Sequence, residues 1–291
     1  MNTPTLAASN LAGVVEHPGL DNNPYLVDVD GRPYVPVGDG GVVLGISLGD
    51  SVFAFDADHA SAAVSLVHPD QAARYALTAF ACLGNPVTVR SGAAGGATGV
   101  VLGKRGEQGR VLAWFPPETL ATIVPGDAMS VRAFGQGAGL SVALTETGAE
   151  LLNVDPGILP RLGVHLGDTS LSAAVRGIVG SELVGNGLGR PAHQWDLDLQ
   201  VDVGNAGPLG LRGLAIGDLV AVADLDVRHN AGYRRGWVTL GVVVTTTSPR
   251  PGHGVGMMPM LSAPSTAVEL DLRPDDHVGV SAKLLTELAG R

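Results

Sequence analysis

A chain of 291 residues with 45% apolar and 16% charged side chains has room for two ordinary domains or one large β-rich one, and is too apolar for long disorder or a coiled coil. Its 28 acidic against 18 basic residues leave a formal net charge of −10, which repels nucleic-acid phosphates and anionic lipid. No partnership with nucleic acid or membrane is therefore expected, and no apolar run approaches the ~18 residues of a transmembrane helix.

The 42 glycines are about twice the usual ~7% and follow no collagen period; with 19 prolines they point to tight turns between short strands. Residues 1–16 carry no strong pattern and are expected to form an N-terminal arm, or a strand added to a neighbouring copy. From His17 to Val67 short Val-rich runs are punctuated by glycine. A helix is predicted over about 70–83, opened by Pro69 and Asp70 and closed by Gly84, Asn85 and Pro86. Leu77, Phe80 and Ala81 line one face of it with Ala73, and Cys82 at its end reads as packing. Shorter helices are expected over Pro117–Val124, Pro156–Leu162 and Ser281–Leu288.

Three stretches share one design. Gly49-Asp50, Gly126-Asp127 and Gly217-Asp218 each precede an apolar run, ending near Phe55, Phe134 and Asp224. A glycine at positive φ followed by an aspartate that bonds nearby backbone amides launches a strand across a small barrel. The expected fold is α+β and predominantly β, a single compact body over 17–291 built of barrel-like or sandwich-like modules that meet near residue 150.

Two glycine motifs carry less than they suggest. Gly45–Gly49 matches the nucleophile-elbow string around Ser47, but that chemistry needs a helix behind the serine and a strand is expected there. Gly92–Gly99 resembles a phosphate-cradling loop but is followed by Val100, Val101 and Leu102, so a loop around a hairpin or at an interface is favoured. Trp195–Val203 alternates strictly, placing Asp196, Asp198, Gln200 and Asp202 on one strand face; a solvated acidic face is expected, with a hard-cation site as the alternative.

The densest chemistry lies at Asp224–Arg235 and Gly252–Gly256, with an echo at Asp56–His59. Polar side chains at strand ends often converge on ligands. His59, Asp224, Asp226 and His253 are therefore the candidate catalytic residues, with Asp56, Asp58, Tyr233 and Arg234 as substrate-binding candidates. A forked arginine suits a carboxylate, and histidine or tyrosine can move a proton. The glycines around His253 would let the backbone approach a ligand closely. The bland reading of Asp224–Arg235 is a hairpin loop with solvated charges. One cysteine excludes an internal disulfide and a cysteine-based zinc cluster, and the eight histidines show no paired spacing, so no tightly held metal and no cofactor are expected.

At Asp56–His59, Cys82–Asn85, Val89–Gly99, Gly103–Gly106, Gly185–Gly189, Asp196–Asp198, Leu211–Asp218 and Gly252–Gly256 the chain resembles the DUF4438 family of bacterial and archaeal domains of unknown function. The resemblance runs from about His17 to Ala263. It departs from the family pattern where this chain has Arg105 and Thr245 in place of two histidines and Val255 in place of a proline. The resemblance implies a fold and a choice of residues more than a reaction. The expected function is a cytoplasmic, homo-oligomeric small-molecule enzyme, a hydrolase or lyase using acid and base catalysis on a polar, carboxylate-bearing substrate, with a specialised biosynthetic step as one setting. The alternative is a non-catalytic small-ligand binding or scaffold protein.

Overall fold

The computed structural model describes residues 6–19 and 23–290. Six antiparallel strands close into a barrel in the order Ser9–Val15, Val64–Val67, Arg110–Trp114, Thr98–Arg105, Pro86–Val89 and Ala128–Ala133, the last pairing back to the first. Val15, Leu66, Val87, Val101, Phe115 and Met129 fill its interior. The predicted N-terminal arm is thus corrected in part: Ser9–Val15 completes its own barrel, with Val15 buried and Ser9 and Asn10 exposed. Its weak signature has a physical cause, since only alternate residues at one end of the strand face the core. Residues 1–5 of the predicted arm lie outside the described residues.

A second sheet runs in the order Gly177–Gly180, Leu219–Asp226, Gly232–Val243, Val255–Pro264 and Leu197–Leu199, with Glu150–Leu151 added beside Val255–Pro264. The first pair is parallel and the others are antiparallel. A three-stranded sheet of Val164–Leu166, Leu171–Val175 and Val268–Leu272 completes the β structure beside a two-stranded ribbon, Leu26–Val27 with Pro33–Tyr34. One apolar cluster joins Leu102 and Trp114 of the barrel to Leu240 and Met260 of the second sheet and to Leu284 and Leu288 of the Ala282–Ala289 helix. The fold is α+β and predominantly β. Among the described residues no helix is long and apolar enough to cross a membrane.

The long predicted helix forms over Gln71–Phe80, with Asp70 accepting from the Ala73 amide at 2.8 Å as its cap. Leu77 is buried, but Phe80 is half exposed because the chain turns extended at Ala81. Cys82 is packed as expected, and burial pushes its thiol up to about 11. Gly92–Gly99 is the loop joining the Pro86–Val89 and Thr98–Arg105 strands of a hairpin.

The three Gly-Asp turns share their geometry. Gly49, Gly126 and Gly217 have φ of 90°, 92° and 99°. Each aspartate accepts from the amide three residues before it: Asp50 from Ser47 at 2.8 Å, Asp127 from Val124 at 3.0 Å and Asp218 from Ala215 at 2.8 Å. The bond therefore closes the turn behind the aspartate instead of reaching forward. The second and third turns launch strands. The first does not: residues after Asp50 form turns, with a single bridge from Ser51 to Ala215.

Lys104 is fully buried on a barrel strand and binds the Asn153 Oδ1 at 2.6 Å and the His193 carbonyl at 2.7 Å, stitching the barrel to the second half of the chain. Burial depresses its pKa from 10.5 to about 8. Between those values the unfolded chain binds the proton and the folded one does not, so stability gained at this residue rises with pH. Wild type should therefore gain stability relative to Lys104→Met between pH 8 and about 10.5 in urea melts, and a difference that shrinks there would contradict the buried ammonium.

Candidate active site

The site begins with a local strand-like staple. His59 donates its amide to the Thr247 carbonyl at 3.3 Å, and Ala60 exchanges bonds with Thr246, accepting at its carbonyl (2.8 Å) and donating to Oγ1 (2.9 Å). The 58–60 segment is thereby fixed along the connection that follows the Gly232–Val243 strand. His59 itself is buried at φ 48°, a conformation a β-substituted residue adopts only when its surroundings hold it.

The same connection ends in the turn carrying His253, whose amide donates to the Arg250 carbonyl at 3.1 Å. Asp198 is brought alongside because Leu197–Leu199 pairs with Val255–Met257, setting Asp198 opposite Gly256. Three segments thus converge. His59 Nε2 lies 3.2 Å from His253 Nδ1, His253 Nδ1 lies 2.7 Å from Asp198 Oδ2, and His59 Nε2 lies 3.7 Å from Asp198 Oδ2. His59 and Asp198 are buried and the two rings meet edge to face. These two histidines and one carboxylate could hold a metal ion.

A charged surround encloses the cluster. Asp58 Oδ1 is 4.0 Å from His59 Nε2, and its other oxygen accepts from the Tyr34 hydroxyl at 2.7 Å. Burial and that bond raise the Tyr34 phenol above its usual range. The Gly106 amide donates to Asp196 Oδ1 at 2.9 Å, and burial with Asp198 as neighbour pushes the Asp196 carboxyl up to about 7. Arg105, buried on the last barrel residue of its strand, pairs with Asp39 at 3.3 Å, while Arg250 holds Glu107 through two 3.3 Å bonds. Desolvation, then Arg105, drives the His59 pKa well below the usual histidine range. His59 Nδ1 faces Thr245 Oγ1 at 3.4 Å, and the Arg105 charge acts on the same ring.

A cavity of about 370 Å³ opens over the cluster, lined by Asp56, Asp202, Arg250, His253 and Gly254 among others. A larger one of about 760 Å³ is lined by Gly106, Glu107, Arg110 and Trp195 among others. We place the entrance at the smaller cavity because His253 and Arg250 both line it; the larger one touches the site through Glu107 and Gly106.

His59, His253, Asp58 and Asp56 are thus brought to one place. Asp224, Asp226, Tyr233 and Arg234 are not, and their expected convergence is corrected. Asp226 pairs with Gly232 at one end of the 12-residue Gly232–Val243 strand, whereas Val243 pairs with Met257 beside the cluster. The paired strand Leu219–Asp226 covers that stretch in 8 residues because Gly232–Val243 bulges opposite Asp224, so at ~3.3 Å per residue the two ends are roughly 23 Å apart. Asp226 instead binds Arg228 and Arg234, Asp224 accepts from the Gly236 amide at a bulge, and Tyr233 is exposed. That stretch is the hairpin with solvated charges. The expectation failed because it assumed a strand between Asp50 and Asp56 that does not form.

The acidic strand face at Trp195–Val203 is also corrected. The strand forms only over Leu197–Leu199; Asp198 is buried against the histidines and Asp196 against the Gly106 amide, while Gln200 and Asp202 reach solvent. Arg250 and Glu107 carried no signal as site residues, since their pairing joins positions 143 residues apart; Arg105 and Thr245 were marked only as departures from a family resemblance. Spacing likewise hid the direct contact between the two histidines, because they stand 194 residues apart.

Comparison with known proteins agrees with this geometry at the level of fold. The crystal structure of TM1086 superposes with a TM-score of 0.87 at 28% identity, covering 94% of this chain and 95% of that one. No curated protein matches the chain. The family model for the N-terminal domain of unknown function DUF4438 matches residues 25–160, and that for the DUF4438 C-terminal domain matches residues 161–280. The chain therefore belongs to the DUF4438 family, whose N- and C-terminal parts it carries in succession.

Proposed function

We propose that the chain is a small-molecule enzyme of the cytoplasm, a hydrolase or lyase acting on a polar, carboxylate-bearing substrate, with the His59, Asp198 and His253 cluster as its reaction centre. The observation that carries this reading is His253. A buried carboxylate holds one ring nitrogen at 2.7 Å while the side chain lines a cavity, and catalytic histidines are oriented in this way to move protons. Arg250 lines the same cavity and already grips the Glu107 carboxylate with two nitrogens, so it is the group to anchor a substrate carboxylate.

The test is to incubate wild type and Asp198→Asn with a pool of polar metabolites and follow both by mass spectrometry. A carboxylate-bearing compound should disappear with wild type alone. Retention of a compound without conversion would favour the non-catalytic ligand-binding reading. Once a substrate is in hand, Arg250→Gln should raise KM by about 10- to 100-fold with little change in kcat, the loss of a charge-assisted bond of ~1.5–3 kcal/mol made equally in ground and transition states. A fall in kcat alone would remove Arg250 from the anchoring role.

The same reading includes a homo-oligomer. Val29, Val35, Val37 and Leu44 are each more than half exposed within one short span of the chain, an apolar surface that self-association would cover. Light scattering at micromolar concentration should give a multiple of 29.5 kDa, and a mass of 29.5 kDa would overturn this.

A further inference from the structure

We propose that His59 Nε2, His253 Nδ1 and Asp198 Oδ2 together bind one divalent first-row transition ion, with Asp58 beside them as an additional charge partner or fourth ligand. The inference rests on the reading that this cluster is the functional centre, and adds the ion that centre would hold.

The spacing fits. A tetrahedral ion with ligands at ~2.0–2.1 Å sets them ~3.3 Å apart, and the three contacts here are 2.7, 3.2 and 3.7 Å. Hydrogen bonding alone leaves the cluster short of protons. The single hydrogen or lone pair at His253 Nδ1 must serve both Asp198 and His59. If it is a hydrogen given to Asp198, His59 Nε2 has at best a share of it. If it is a lone pair accepting from His59, it faces a carboxylate oxygen at 2.7 Å with nothing between. A cation at the centre satisfies all three donors at once.

A second, independent observation comes from Asp58. Its Oδ1 is buried, 4.0 Å from His59 Nε2, and has no hydrogen-bond partner among the described residues. A buried carboxylate oxygen without a partner is costly and calls for a cation or a water beside it. Outside the ligands, Thr245 Oγ1 stands 3.4 Å from His59 Nδ1, where accepting that nitrogen's hydrogen leaves Nε2 bare toward the centre. Two imidazoles and a carboxylate select a zinc-like or iron-like ion over magnesium or calcium, which prefer all-oxygen sites.

The test uses the untagged full chain, stripped with a chelator and titrated separately with zinc, manganese and cobalt(II) by calorimetry, with cobalt also followed by visible absorption. About one ion per chain is expected. His253→Ala should weaken binding at least 100-fold, and Asp58→Asn at least several-fold. Far-UV circular dichroism and a melting curve establish that each variant is folded, and Asp198→Asn serves as the second ligand variant if His253→Ala is not. Fewer than about 0.1 ions per chain for all three metals overturns the proposal, as does stoichiometric binding that persists in both folded ligand variants. Binding without turnover would leave the metal site standing and count against the enzyme reading; turnover by chelator-treated protein would do the reverse.

Discussion

Asp218→Ala is expected to lower the unfolding free energy by about 3–5 kcal/mol, the usual cost of removing one partner from a buried charged network. Asp218 is fully buried in the third Gly-Asp turn. One oxygen accepts from the Ala215 amide at 2.8 Å; the other meets His277 Nδ1 at 2.7 Å and the Val278 amide at 3.2 Å. Arg176 Nε stands 3.9 Å away. Alanine would strip all of these at once. By contrast Asp50 in the first turn is only half-buried and its side chain closes only its own loop, so Asp50→Ala should cost about 1 kcal/mol. The ordering of the two variants in urea melts checks the argument, and equal costs would show that the turn, not the buried network, carries the stability.

The same network fixes a pH dependence. The His277 pKa is raised, first by its bond to Asp218, and its Nε2 faces the Val280 carbonyl at 3.0 Å, so both nitrogens meet acceptors and favour the imidazolium. A pKa raised on folding gives stability that is fully present below the unfolded value of ~6.5 and lost as pH rises through the folded value. The stability difference between wild type and His277→Gln should accordingly be largest below pH ~6.5 and shrink above the folded pKa. A difference that grows with pH would contradict the pairing.

Local rules made much of the fold legible. Asp70 with Pro69 marked the helix start, and three Gly-Asp pairs marked three turns, because a cap and a turn are decided by neighbours a few residues apart. The Ser9–Val15 strand was not legible, since its barrel partners lie some 50 and 120 residues on and only part of one face is buried. The site divides in the same way. His59 and His253 could be chosen because each stands in a polar cluster bounded by glycine or aspartate. Asp198 was visible only as one member of an alternating face, and which side of that face met solvent depended on the pairing of Leu197–Leu199 with Val255–Met257. Asp224 and Asp226 looked equivalent to Asp56 and Asp58 by composition. Their separation from the histidines is a matter of strand length, which the sequence pattern of a long hairpin does not announce as distance.

Gly254→Ala should lower affinity for the proposed metal ion by about 100-fold and destabilise the chain by about 1–3 kcal/mol, the range for forcing an added methyl into a packed site. Gly254 admits the chain's own backbone: a Cβ there would lie 1.9 Å from the Leu199 carbonyl oxygen and 2.9 Å from Gln200 Cα. Both are backbone atoms beside Asp198, so neither can swing aside. Relief requires the His253 turn and the Asp198 strand to part by about 1 Å, which lengthens the 2.7 Å contact between their side chains. Misplacements of that size cost about 100-fold at reacting centres. Gly139→Ala is the matched control, because a Cβ at Gly139 meets nothing within 4 Å. Two measurements decide the matter independently: cobalt titration of both variants, and the His253 to Asp198 distance in a crystal structure of Gly254→Ala. A variant that keeps that distance and melts within about 2 °C of wild type would show that the turn absorbs the methyl without moving the site, and that its position is not set by the close approach at Gly254.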